Sequence, residues 1–317
     1  MKIKLRKSFI CGIKKTSLSK KEYLFIKKYK PWGIILFQRN IINIKQVREL
    51  TKSIQKIFND PNYPILIDEE GGRVSRLKKI VDNSMFSANY FGKLYKRNHK
   101  KFNLYLDVYI DQISYVLKLI GVNINTVPVL DLRRKFSHNV IGDRSYSQNK
   151  KVIDKIGSLT INLFKKNRIA TVIKHIPGHG LSKKDTHFKL PKINKNLKYL
   201  EKNDFSLFKN KNTIFAMTAH IIFNSIDKND CITHSKKGIK YIRSKIGFKN
   251  LIISDDISMK ALKYPFKENV KKAFQAGCNL VLHCNANMEE MMQLAKIAPK
   301  VSPFILKKTS EFYDYLS

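Results

Sequence analysis

Short apolar runs recur along the chain, each followed by a polar stretch in which apolar residues return at helical spacing. The runs are Phe9–Ile13, Gly33–Phe37, Pro64–Asp68, Val122–Val127, Ala170–His175, Thr213–Thr218, Asn250–Ser254 and Asn279–His283. Many are continuous rather than alternating. A strand with one wet face alternates with a period of two, whereas a parallel strand covered on both faces is apolar throughout. The stretches Ser17–Tyr29, Ile44–Phe58, Leu104–Leu119, Lys151–Lys165, Lys236–Ile246 and Lys267–Ala276 read as amphipathic helices, the first capped by Ser17 or Ser19. Gly121, Gly247 and Gly277 follow helical stretches, where a left-handed cap favours glycine. Eight strand-like runs alternating with helices predict an α/β fold. Without a Pro- or Gly-rich linker to divide it, residues 1–317 form a single TIM-like (β/α)8 barrel, with 301–317 as a C-terminal helical tail carrying Tyr313 and Leu316. An open doubly wound sheet is the alternative. However, Gly12-Ile13-Lys14-Lys15 after the first run is not the glycine fingerprint of a dinucleotide site.

Composition narrows the function classes. With 43% hydrophobic residues the chain can bury a full core and is no disordered basic tail. No run of about 18 apolar residues predicts a membrane span. The Lys-rich start has only the short apolar stretch Phe9–Ile13, followed at once by Lys14 and Lys15, so no cleavable signal is expected. Cys11, Cys231, Cys278 and Cys284 show no C-x-x-C spacing and read as reduced thiols of a cytoplasmic protein. The 62 Lys+Arg exceed the 24 Asp+Glu by 38 charges, which raises nucleic acid as a partner. The lysines are spread along the whole length, with no Arg-rich arm and no basic-aromatic motif. Lys, Ile and Asn share A/T-rich codons, so base composition accounts for much of the excess.

Candidate chemistry gathers where the runs end. The third ends in Asp68 and continues Glu69-Glu70-Gly71-Gly72-Arg73-Val74-Ser75-Arg76. The fifth ends in Lys174-His175, followed by Ile176-Pro177-Gly178-His179-Gly180; the sixth leads to Ala219-His220 and the seventh to Ser254-Asp255-Asp256. In a barrel these ends converge on one mouth, where such enzymes place catalysis. His175 and His179 mimic a helical pair of metal ligands, but Pro177 and the glycines argue for a loop. With His187, His220 and Asp185 they remain raw material for a metal-dependent hydrolase, although no metal or other cofactor is expected. Asp185-Thr186-His187 allows the carboxylate to orient the imidazole, or else simply to bond backbone in a turn. Neighbours on a strand face opposite ways, so one of Asp255 and Asp256 can enter the mouth while the other caps or pairs elsewhere, and Glu69 is likewise separated from Glu70.

Taken in order, these segments resemble family 3 glycoside hydrolases, and among them the single-domain bacterial β-N-acetylglucosaminidases. The matching pieces are Gly33 to Asn40 (GIILFQRN), Ile67 to Arg76 (IDEEGGRVSR), Ile141 to Tyr146 (IGDRSY), Lys174 to Gly180 (KHIPGHG), Asp185-Thr186-His187, Met217 to His220 (MTAH) and Ser254 to Met259 (SDDISM). The resemblance runs from about Phe9 to Cys284, and the KHIPGHG segment with its D-x-H loop is the most specific part. It implies a barrel and a retaining mechanism, with Asp255 as the nucleophile and His187 as the acid/base oriented by Asp185. It also implies that Asp68, Arg76, Arg144, Lys174 and His175 hold the sugar, with His220 and Met259 lining the pocket. The substrate implied is a small saccharide: terminal N-acetylglucosamine on anhydro-N-acetylmuramic acid, with or without peptide, as released in peptidoglycan recycling. No nucleic acid, membrane or second subunit is expected as a partner. A β-glucosidase-like specificity is the alternative within the family. Glu69, Ile176 and Thr186 stand where many relatives have Gln, Phe and Ser.

Overall fold

The structure, a computed structural model, describes residues 2–134, 141–182 and 190–316. Eight strands close into a parallel barrel: β1 (Lys7–Gly12), β2 (Pro31–Leu36), β3 (Ile65–Ile67), β4 (Ile124–Asn125), β5 (Ala170–Ile176), β7 (Phe215–Thr218), β9 (Leu251–Asp256) and β10 (Leu280–His283). Each expected run supplies one of them. A small separate pair, β6 (Lys192–Ile193) and β8 (Ile222–Phe223), also parallel, was not among the expected strands. The register carries the ring round through Ile34↔Ile65, Leu66↔Ile124, Ile124↔Ala170, Val172↔Phe215, Ala216↔Ile252 and Phe9↔Val281.

The continuous apolar runs now have a physical explanation. Ile10, Ile35, Leu66, Val172, Phe215 and Leu282 fill the barrel interior. Their neighbours Phe9, Cys11, Ile34, Leu36, Ile65 and Ile173 face the helical ring. The period of two persists, but both faces meet apolar partners. The helices are α1 (Lys20–Tyr29), α2 (Ile44–Phe58), α3 (Ala88–Arg97), α4 (His99–Leu119), α5 (Lys150–Lys166), α6 (Leu197–Lys202), α7 (Lys236–Tyr241), α8 (Phe266–Ala276), α9 (Met288–Ile297) and α10 (Pro303–Leu316). Ser19, one of the two expected caps, starts α1 in a reciprocal box with Glu22. Gly247 and Gly277 take φ of 84° and 111° just past their helices, the backbone that favours glycine there.

Three helices, α3, α6 and α9, lay outside the expectation. In α3, Gly92 is a poor helix former on propensity. Its use is a close approach, since a Cβ there would lie 1.7 Å from the Tyr146 carbonyl oxygen. The stretch Lys236–Ile246 is one element by pattern but two in fact: α7 passes into a π-turn over Ile242–Ile246.

The tail helix α10 seals the N-terminal end of the barrel. Trp32 Nε1 donates to Thr309 Oγ1 at 2.9 Å. The Trp32 and Phe312 rings each pack at 5.6 Å from Phe215. Arg6 pairs with Asp60 and donates to the Tyr313 hydroxyl at 2.9 Å. With this end of the axis filled, the axis opens at the opposite mouth. Truncating Phe312, fully buried in the seal, to alanine is expected to cost about 3–5 kcal/mol of stability. The check is a lowered urea midpoint with unchanged slope.

Candidate active site

The C-terminal ends of the strands surround a cavity of about 280 Å3. Asp68, Arg76, Arg144, Lys174, His175, Asp255 and Met259 all line it, so most of the residues singled out from sequence meet in one place. His220 does not line it. It is buried behind the wall with both ring nitrogens engaged, Nδ1 at 2.7 Å from Thr233 Oγ1 and Nε2 at 3.1 Å from the Asp256 carbonyl oxygen. Asp185 and His187 lie outside the described residues.

Lys174 is the centre of the charge arrangement. Its side chain is only 2% exposed. Nζ lies 2.9 Å from Asp68 Oδ1, 2.6 Å from Glu70 Oε1 and 3.0 Å from Thr126 Oγ1. An ammonium has three donors, so all three are engaged. Glu70 is gripped from its other side by Arg144, whose Nε and Nη2 reach it at 2.8 and 2.9 Å. Asp68 also accepts from the Thr126 hydroxyl and lies 3.5 Å from Arg76 Nη2. Burial alone would push both carboxyls up. Lys174 and Arg76 instead hold Asp68 well below its ordinary value, and Arg144 and Lys174 hold Glu70 down at about 2.

Glu70 was not picked out from sequence, although its doublet with Glu69 was. The doublet separates as expected, although both residues lie past the end of β3 at Ile67. Glu69 turns away from the mouth and accepts from Arg76 N, Leu77 N and Asn83 Nδ2 at 2.7, 2.9 and 2.7 Å, tying down the loop that carries Arg76. The doublet Asp255-Asp256 does not separate as expected, since both line the cavity. Asp256 is the last residue of β9, and the chain turns immediately after it. Its carboxylate does cap that turn, accepting from Ser258 Oγ at 2.8 Å and from Cys284 N at 3.1 Å. Asp255 Oδ1 accepts from the Asp256 N–H at 2.8 Å. Burial raises the Asp255 carboxyl, but His220, His175, that N–H and Lys174 together hold it below its ordinary value. It is therefore an ionised carboxylate at neutral pH, the state a nucleophile needs.

The segment after β5 is a loop, as the glycines implied. A Cβ at Gly180 would lie 1.9 Å from the Leu132 carbonyl oxygen, so the loop runs directly against backbone. His179 is buried, and burial together with His175 lowers its imidazole to about 4, leaving it neutral. Arg73 lines the cavity rim and pairs at 2.6 Å with Asp143, with 46% of its side chain exposed. Among the described residues no three His, Cys, Asp or Glu side chains gather as a metal site.

A parallel barrel with acidic, basic and imidazole groups on several strand ends defines an enzyme of the barrel class acting on a polar substrate. Comparison with known proteins makes the class specific. Residues 8–305 match the glycosyl hydrolase family 3 N terminal domain. A beta-hexosaminidase of Nitrosomonas eutropha is 34% identical over 262 residues, 80% of this chain and 73% of that protein. One from Neisseria meningitidis is 32% identical over 263 residues, 80% of this chain and 71% of that protein. The crystal structure of native NagZ from Neisseria gonorrhoeae superimposes with a TM-score of 0.86 at 26% identity, covering 98% of this chain and 90% of that one. The chain belongs to glycosyl hydrolase family 3. It is a glycoside hydrolase of the β-N-acetylhexosaminidase type.

The paired network carries a pH signature. Glu70 has a folded value of about 2 against an ordinary 4.5, and Asp68 is lowered in the same sense. Their contribution to stability is complete above the ordinary carboxylate range and is lost as pH falls through the folded values. Lys174→Met is expected to cost about 3–5 kcal/mol at neutral pH, because it strands two buried carboxylates. The difference from wild type, measured by urea unfolding, narrows at about pH 3, where the wild type has lost part of this term. An equal gap at both pH values would mean that packing, not charge pairing, is what Lys174 supplies.

Proposed function

We propose that the protein is a retaining exo-β-N-acetylglucosaminidase that removes terminal N-acetylglucosamine from muropeptides during peptidoglycan recycling in the cytoplasm. The observation that carries this reading is that Asp255 lines one cavity at the strand ends together with Asp68, Arg144, Lys174 and His175.

In the proposed reaction an Asp255 carboxylate oxygen forms a bond to the anomeric carbon as the bond to the leaving oxygen breaks. His187, oriented by Asp185, gives its proton to that oxygen. The neutral His187 then takes a proton from water, whose oxygen displaces Asp255 and frees the sugar with its original configuration. Sugars offer many hydroxyls and few charges, so a rigid set of donors and acceptors around them supports selection. Lys174 and Arg144 are held by Glu70 before substrate arrives, which spares that ordering cost on binding. The free thiols of Cys11, Cys231, Cys278 and Cys284 are in keeping with a reducing compartment. The leaving part of a muropeptide carries carboxylates, and an excess of 38 positive charges raises their local concentration.

Two experiments test the reading. Asp255→Asn, folded by circular dichroism, is expected to release p-nitrophenol from the β-N-acetylglucosaminide with kcat lower by about 1,000-fold or more. Proton NMR of the wild-type reaction should show the β-anomer of N-acetylglucosamine first. Full activity in the variant would move the nucleophile to another residue, and the α-anomer would remove the covalent step. Separately, raising salt is expected to lower kcat/KM for a charged muropeptide while leaving neutral chitobioside nearly unchanged. Equal effects on both would detach the charge from substrate capture.

A further inference from the structure

Asp131, which no sequence motif singled out, lies just beyond β4 and is fully buried behind the cavity wall. Its Oδ1 accepts the backbone N–H of His179 at 2.7 Å and that of His175 at 3.3 Å. Its Oδ2 lies 2.7 Å from His175 Nδ1. The two backbone partners of Oδ1 are donors only, and an ionised carboxylate is an acceptor only. Burial raises the Asp131 carboxyl, but His175 and the His179 N–H hold it below its ordinary value, so it stays ionised. A proton on His175 Nδ1 is then the only arrangement in which that contact is a hydrogen bond. His175 lines the cavity, and Nε2 is the nitrogen left to face it.

We propose that Asp131 is a positioning residue that fixes His175 as the Nδ1–H tautomer, so that the sugar cavity presents the Nε2 lone pair as an acceptor for a substrate hydroxyl. The surroundings give this acceptor value. Glu70 has both oxygens spent on Lys174 and Arg144, and Asp68 Oδ1 is spent on Lys174 and Thr126. Much of the wall is cationic and can only donate. A sugar hydroxyl both donates and accepts, so a hydroxyl that takes a hydrogen bond from an arginine needs a partner for its own proton. An imidazole whose single proton is on Nδ1, facing Asp131, supplies one at Nε2. Asp131 therefore acts through His175 and touches no substrate itself.

Asp131→Asn tests this with an almost unchanged shape. The backbone N–H groups of His175 and His179 still require an acceptor, so the amide oxygen takes the place of Oδ1. The amide nitrogen then falls at Oδ2 and donates to His175 Nδ1. The imidazole proton is forced onto Nε2, and the cavity gains a donor where it had an acceptor. Nitrogen-15 NMR of histidine-labelled protein reads this directly, with the His175 signals assigned by their loss in His175→Gln. In the wild type, Nδ1 should be protonated and Nε2 bare; in Asp131→Asn the two should exchange. The variant should also lose about tenfold to a hundredfold in kcat/KM on the β-N-acetylglucosaminide, as expected for one misdirected buried hydrogen bond.

A wild-type spectrum with a proton on His175 Nε2, alone or together with one on Nδ1, would overturn the proposal, whether or not the variant folds. So would an unchanged tautomer in a folded Asp131→Asn protein. Exchanged tautomers with unaltered kcat/KM would overturn the hydroxyl-acceptor role. The tautomer is read without substrate, whereas the hydroxyl role rests on the glycosidase reading of the cavity; wild-type protein inert on the glycoside would count against that reading alone.

Discussion

One buried ammonium holds the mouth of this barrel together. Lys174 sits near the end of β5, and its three donors reach Asp68 beyond β3, Thr126 beyond β4 and Glu70 on the loop that follows. Removing such a group from water is expensive, and the cost is recovered only when every donor is satisfied with good geometry. That condition fixes the relative height of three neighbouring strand ends. It also keeps Asp68 and Glu70 ionised, and Glu70 in turn fixes the plane of the Arg144 guanidinium through two hydrogen bonds. The position of Arg144, on a short turn far along the chain, is thus a consequence of Lys174.

The opposite end of the barrel is closed mainly by apolar packing, pinned by the Trp32–Thr309 hydrogen bond and the Arg6–Asp60 ion pair. Trp32, Phe215 and Phe312 fill the axis where the strands begin, and α10 lies across them. The asymmetry is functional. An apolar seal at one end and a satisfied ionic ring at the other leave a rigid polar cup in which Asp255 stands apart from the cations. Its burial and its imidazole neighbours, with the adjacent backbone N–H, leave it ionised without engaging both oxygens in ion pairs. Membership of glycosyl hydrolase family 3 accords with this arrangement, in which the cavity-lining polar groups come from several different strands.

Adjacent carboxylates show how far a local rule reaches. For Glu69 and Glu70 the opposite placement that alternation assigns is found, one tying a loop and the other gripping cations, although both lie past the end of β3 at Ile67. For Asp255 and Asp256 the same rule fails, because β9 ends there and the turning chain brings both to the cavity. His220 is a related case. The motif that contains it marks the right strand, but only packing shows that its ring is spent on Thr233 and on the Asp256 carbonyl instead of facing a ligand.

The eight strands, the helix caps and the clustering of chemistry at strand ends were legible in the sequence, because each depends on residues near one another along the chain. Apolar runs bury on both sides wherever they lie, and Ser19 and Gly277 act within one turn of their own helices. The order of the motifs also carried the family. What tertiary structure alone decided is which polar groups meet. Lys174 and Asp68 are 106 residues apart, and Arg144 and Glu70 are 74 apart. Asp131, which has no motif of its own, orients His175 from 44 residues away. Such pairs are selected by where closure of the barrel brings the strand ends, and by the rule that a buried charge must find its complement there; neither can be read from spacing along the chain.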